Sequence, residues 1–104
     1  PTEKQMEESS FEMTFLGEGY STGQNPEEGK PDVKICTQVR GPEAGYVATP
    51  IAMVQAAVAL LKDKNSLPKK GGVYSPGAVF YNTKLVERLN KYGIEFSVIS
   101  KPEA

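Results

Sequence analysis

The chain contains no histidine and a single cysteine, Cys36, among its 104 residues. Without histidine, the commonest general base near neutral pH and the commonest metal ligand are missing. One thiol allows neither an internal disulfide nor a cysteine-based zinc site, and it fits a reducing compartment. No imidazole can activate Cys36, so a half-buried structural thiol inside a strand is a simpler reading than a nucleophile. An excess of charge of one sign is lacking too. There are 12 basic and 13 acidic residues, mixed along the chain, for a net charge of −1. Such a surface draws neither nucleic acid nor anionic lipid from a distance. Uninterrupted apolar runs stay short of 18 residues, so neither a direct membrane span nor a signal peptide is expected.

What is present suits one domain with a modest core, because a chain of this length buries roughly two-thirds of its unfolded surface. It opens on Pro1 and reads as a piece of something longer. Residues 1–10 are polar and read as a flexible leader, 11–101 as a single α+β domain, and 102–104 as a tail. In "SFEMTFLGEGY", Phe11, Met13 and Phe15 alternate with polar residues, the pattern of a strand with one buried face. "VKICTQVR" alternates again, with Val33, Ile35, Thr37 and Val39 on one side. Between them, residues 21–32 are rich in Gly, Pro, Asn, Asp and Glu and read as a long mobile connection within an antiparallel hairpin.

Thr49-Pro50 reads as a helix start, a hydroxyl cap followed by proline at the first helical position. The helix "IAMVQAAVALL" carries one polar residue, Gln55, in eleven. A surface helix would show a polar stripe, so this one should be buried on most sides, more completely than 104 residues manage alone. "VYSPGAVF" reads as a short extended stretch broken at Pro76-Gly77. "TKLVERLNKYG" reads as a second helix, with Leu85, Val86, Leu89 and Tyr92 on one face, a Glu87–Lys91 ion pair on the other and Gly93 as its C-cap. "IEFSVIS" closes the chain as a strand with Ile94, Phe96 and Val98 inward. The expected fold is α+β, a small mixed β-sheet with two helices in the order β-β-α-β-α-β.

"VRGPEAGYVATPIAM", a strand, a glycine-containing loop and a helix in succession, has the layout of a phosphate loop. Its spacing is not that of one. Gly41 and Gly45 match neither G-x-G-x-x-G nor G-x-x-x-x-G-K-[ST]. Pro42 and Pro50 remove backbone donors, Glu43 adds repulsive charge, and the expected helix begins four residues beyond Gly45. A turn with two backbone-permissive glycines is the simpler reading. Lys69 and Lys70, beside Gly71 and Gly72, read as a solvated turn before they read as an anion site. Arg40, Tyr46, Val47, Thr49 and Pro50 are the candidate substrate-side or interdomain contacts. They lie where a strand hands over to the most apolar helix, an edge where α/β-type sheets place ligands, and Tyr46 is an amphipathic contact residue.

"KICTQVRGPEAGYVATPIAMVQAAVALLKD", "LPKKGGVYSPGAVFYNTKLVERLNKYGIEFSVIS" and the "SFEMTFLGEGYS" strand resemble the carboxy-terminal part of the saccharopine dehydrogenase-like oxidoreductases of animals. The resemblance covers nearly the whole chain, except for the variable loop at 21–32. It implies a larger protein with an amino-terminal Rossmann domain holding NAD or NADP, and a second domain that ends in this segment. Under it, no cofactor-binding, catalytic or metal residue falls within this chain. Partners would be the Rossmann domain of the same polypeptide and a second copy of the chain. The protein would be intracellular, either cytoplasmic or associated with lipid droplets or membranes. The alternative is an independent, non-enzymatic module that binds protein or a lipid surface. A G-x-G-x-x-G fingerprint opening a βαβ unit upstream would separate the two.

Overall fold

A computed structural model describes residues 1–100; the expected tail at 102–104 lies outside the described residues. Strand β1 (Ser10–Gly19) pairs antiparallel with β2 (Val33–Pro42), from Ser10 opposite Pro42 to Gly19 opposite Val33. β3 (Glu95–Ser100) pairs antiparallel with the other edge of β2, with a bulge near Cys36, so the sheet order is β1-β2-β3. The hairpin is as the alternation predicts. Its connection is pinned at the base, where the Ser21 N–H and hydroxyl both donate to Asp32 and the Asp32 N–H donates to the Gly19 carbonyl.

The α+β class and the succession of strands and helices hold in outline, with three corrections. The sheet is wholly antiparallel and not mixed. The stretch around Pro76 is a helix, α3 (Pro76–Phe80), and not an extended segment. Ser75 is extended and Pro76 occupies the first helical position, where a fixed φ favours helix and the missing N–H costs nothing. The leader contains a helix, α1 (Glu3–Glu8). Thr2 accepts from the Gln5 N–H and the Gln5 side chain accepts from the Thr2 N–H. That is a capping box, written in the sequence as T-E-K-Q.

The long apolar helix is α2 (Thr49–Lys62), and α4 (Leu85–Lys91) follows later in the chain. Gly93, at φ 102°, ends α4 as the left-handed residue expected there. The expected Glu87–Lys91 ion pair does not form among the described residues. Lys91 instead places Nζ 5.7 Å from the Tyr92 ring centroid. Arg88 reaches away from its own helix to Asp63 at the end of α2, with N to O at 2.8 Å. Asp63 also accepts the Lys84 N–H, so one carboxylate ties the end of α2 to the start of α4. The Lys84 N–H and then the Arg88 guanidinium hold the Asp63 carboxyl below its usual range.

The core is small. Ala48, Leu89 and Ile94 are buried together, with Phe11, Val39, Ile51 and Leu85 packed against them. Strand alternation puts Met13, Phe15 and Val98 on the same sheet face as Phe11 and Val39, yet they are 51%, 47% and 61% exposed. The radius of gyration is 17.1 Å, whereas about 13 Å is usual for 100 residues. Exposed area is 8173 Å²; a compact protein of 11.3 kDa exposes roughly 5,700 Å².

Gly41 is a strand residue opposite Phe11 and not part of a turn. A Cβ there would lie 2.4 Å from the Phe11 ring. The glycine is needed for close approach, not for an unusual φ. Gly41→Ala is expected to destabilise by about 1–3 kcal/mol through displacement of that ring, whereas Gly71→Ala, in open space, should change stability by no more than about 0.5 kcal/mol. Equal midpoints for the two variants in denaturant titration would contradict the packing role.

Candidate functional site

The strand-to-helix junction differs from the expectation in one respect that governs its chemistry. The helix does not start at Thr49. A π-helical turn, Ala44–Ala48, precedes α2 without a break, and its cap is Glu43. The Ala48 N–H donates to the Glu43 carbonyl and the Thr49 N–H to Ala44, each five residues back. Pro50 explains the wide turn. Proline lacks an N–H, and its ring crowds the carbonyl four residues earlier; opening the turn relieves that contact. The Thr49 hydroxyl donates to the Ala44 carbonyl at 2.6 Å, so it braces the turn and caps nothing.

Gly45 therefore lies inside the first turn of a helix, where a phosphate would look for N–H groups. Those groups are taken. The Gly45 and Tyr46 N–H groups donate to the two Glu43 carboxylate oxygens at 2.7 and 2.6 Å. The Tyr46 bond, then the Gly45 bond, hold the Glu43 carboxyl below the usual carboxylate range. The position an anion would fill holds the chain's own anion. These residues do not fit the pyrophosphate of a dinucleotide.

The five candidate contacts lie around this junction but do not line one cavity. Arg40 is on the polar sheet face, 3.5 Å from Glu12. Its depression is shared with Ser10, Gly41 and Glu95. Tyr46 projects from the π turn, 65% exposed. Val47 is half-buried and lines a hollow with Pro42 and the α1 residues Glu3, Met6 and Glu7. Pro50 lines an apolar hollow with Ile51, Val54, Gln55 and Tyr92. Cys36 is half-buried in β2. Among the described residues, no three His, Cys, Asp or Glu side chains gather as metal ligands.

Sequence reasoning missed the second face of α2. Ile51, Gln55, Ala56, Val58 and Ala59 turn inward; Met53, Val54, Ala57, Leu60 and Leu61 turn outward with no charge among them. Their exposure reaches 75% at Met53 and 70% at Leu61. The helix expected to be buried on most sides is covered on one. The absence of a polar stripe was the signal; the side left open could not be read from it. With the π turn, the helical run Ala44–Lys62 spans 19 residues and is long and apolar enough to cross a membrane. The π turn adds a full turn ahead of the apolar stretch that follows Pro50. The same length and composition suit a helix held between two protein layers.

The chain is 67% identical over 103 residues to the rat protein named Saccharopine dehydrogenase-like oxidoreductase, matching 99% of this chain and 24% of that one. The matched part is the carboxy-terminal quarter of that protein. The human protein of the same name is 65% identical over the same share of each chain. A Caenorhabditis elegans relative named Lipid droplet localized protein is 39% identical, matching 97% of this chain and 24% of its own length. No family model and no solved structure matches. The relatives thus carry about three-quarters of their length beyond what this chain spans.

Two outcomes follow for the junction. The Glu43 carboxyl titrates low in the folded state, so its contribution is complete above the ordinary carboxylate range and is lost as pH falls through the lowered value. The melting-temperature advantage of the wild type over Glu43→Gln should shrink on acidification; an advantage that grows would contradict the cap. NADPH at millimolar concentration should leave the amides of residues 41–50 unshifted, and specific shifts there would show that a phosphate displaces Glu43.

Proposed function

We propose that this chain is the docking part of a saccharopine dehydrogenase-like oxidoreductase. It seats against the amino-terminal Rossmann domain of the same polypeptide, which holds NAD or NADP, and catalyses nothing by itself. The outer face of α2 is the docking surface. Arg40, Tyr46, Val47, Thr49 and Pro50, at the head of that helix, give substrate-side or interdomain contacts. The observation that carries this reading is a helix apolar on both sides with one side bare. A Met, a Val and two Leu side chains left 43–75% exposed forfeit part of the about 1.5–3 kcal/mol that full burial of each would give, and the chain as a whole exposes more area than its mass calls for. The matched relatives supply a partner of the right size, since three-quarters of their length lies outside the matched segment.

A second reading has its own support. The 19-residue helical run, apolar on average, and the name of the worm relative favour an outer face of α2 that rests on a lipid surface inside the cell. The charge pattern is poor for that role. Interfacial helices carry Lys and Arg along the polar face, and α2 carries only Lys62, at its end.

Met53→Lys in the full-length protein separates the two. With docking, the substitution buries an unpaired ammonium at the domain boundary. Cooperative unfolding should weaken by more than about 2 kcal/mol, and proteolysis within 44–62 should accelerate. Unchanged stability with reduced flotation on neutral lipid vesicles would replace docking with the lipid reading.

A further inference from the structure

The bare face of α2 is not the only apolar surface without a cover. The sheet presents a second one. On the helix side of the sheet, successive rows across the strands are Phe11–Gly41, Met13–Val39–Phe96, Phe15–Thr37–Val98 and Gly17–Ile35. No charged side chain interrupts them. The first row is closed by Ala48, Leu89 and Ile94. α4 leans over β3, where Val86 shares a hollow with Val39, Phe96 and Val98. Beyond that, Met13 and Phe15 stand over β1 at 51% and 47% exposure, and Val86 remains 44% exposed on the flank of α4.

We infer that this uncovered strip receives one amphipathic helix from the part of the same polypeptide that lies outside this chain. The inference rests on the reading that the segment docks within a longer oxidoreductase, but it concerns a different surface. The dimensions define the occupant. From Met13 to Gly19 the strip runs about 20 Å at the antiparallel rise, the length of a helix of about 13 residues. Three strands make a sheet only about 14 Å across its centre and flanks. With α4 over β3, the remaining width admits one helix of about 10 Å diameter. A helix seated 8–10 Å from α4 would touch Val86 on one side and Met13 and Phe15 below. The strip is a trough, walled by α4 and stopped at one end by the π turn. A second copy of this sheet, carrying the same wall and the same stop, would meet its own obstructions. A helix needs only the trough. The required stripe is apolar and uncharged, because each row beneath it is.

The test uses the full-length protein with a photoreactive benzoylphenylalanine in place of Phe15, of Leu16 or of Met53. Leu16 is the control, because it points from the opposite face of β1 and is 85% exposed. The expected result is a crosslink from position 15 to a helical segment in the amino-terminal three-quarters of the same molecule, at least tenfold above the yield from position 16. Retained circular dichroism and melting temperature show that each variant folds. A crosslink between two copies, seen as isotope-mixed pairs, would replace the helix with a dimer contact and overturn the inference. So would crosslinking to lipid, to a strand or loop, or to nothing. If position 53 crosslinks to the amino-terminal part and position 15 does not, the docking reading stands and this inference falls. If neither does, both fall.

Discussion

Ala48, Leu89 and Ile94 meet at the place where the sheet, the π turn and α4 come together, and the rest of the arrangement hangs on that contact. Ala48 is the last residue of the wide turn. Leu89 is the buried residue of α4. Ile94 lies between Gly93 and the first residue of β3 and enters with its N–H bonded to the Leu89 carbonyl. Phe11 closes the cluster from the sheet side, and it reaches in because Gly41 leaves room for its ring. The cluster is far smaller than a domain of 104 residues normally builds, and its size shapes everything outward of it. Strands and helices are set in their final order and register, while two apolar surfaces are left open.

The junction at residues 41–50 shows how a familiar layout can be put to another use. A strand, two nearby glycines and a helix start are all present, but Gly41 belongs to β2 and Gly45 to the π turn, with only Glu43 between the two elements. What decides the chemistry is that Glu43 lies two and three residues before the free N–H groups and folds back onto both. The favourable site for an anion is satisfied within the chain. This turns a binding geometry into a self-capped corner between β2 and the helix. At the far end of α2 the Asp63 carboxylate does a similar job, accepting from the Lys84 N–H and from Arg88. The long apolar run thus has a carboxylate at each end, Glu43 capping the first N–H groups and Asp63 tying the last turn to α4.

Much of this was legible in the residues. Period-two alternation gave both strands of the hairpin and the last strand. The apolar run gave α2, and Gly93 gave the end of α4. The family resemblance rests on long uninterrupted stretches and agrees with the matched relatives. The T-E-K-Q capping box of α1 is legible too, although it lies in a stretch whose polar composition points to a flexible leader. Pro76 suits the break of an extended stretch as well as the first residue of a helix, and sequence alone does not separate those roles.

The residue types by themselves determined the class of fold, the periodicity of each element, the absence of imidazole and disulfide chemistry, and the oddity of a helix with no polar side. Those are local or compositional properties, fixed by each residue and its near neighbours. Tertiary structure alone decided that the helix begins at Ala44 through a π turn and that Glu43 occupies its N–H groups. It decided that Arg88 pairs with Asp63 across 25 residues of chain and not with a neighbour on its own helix. It also decided which half of the sheet is covered. Each of these depends on where distant segments lie in space, and a pattern along the chain carries no record of that distance.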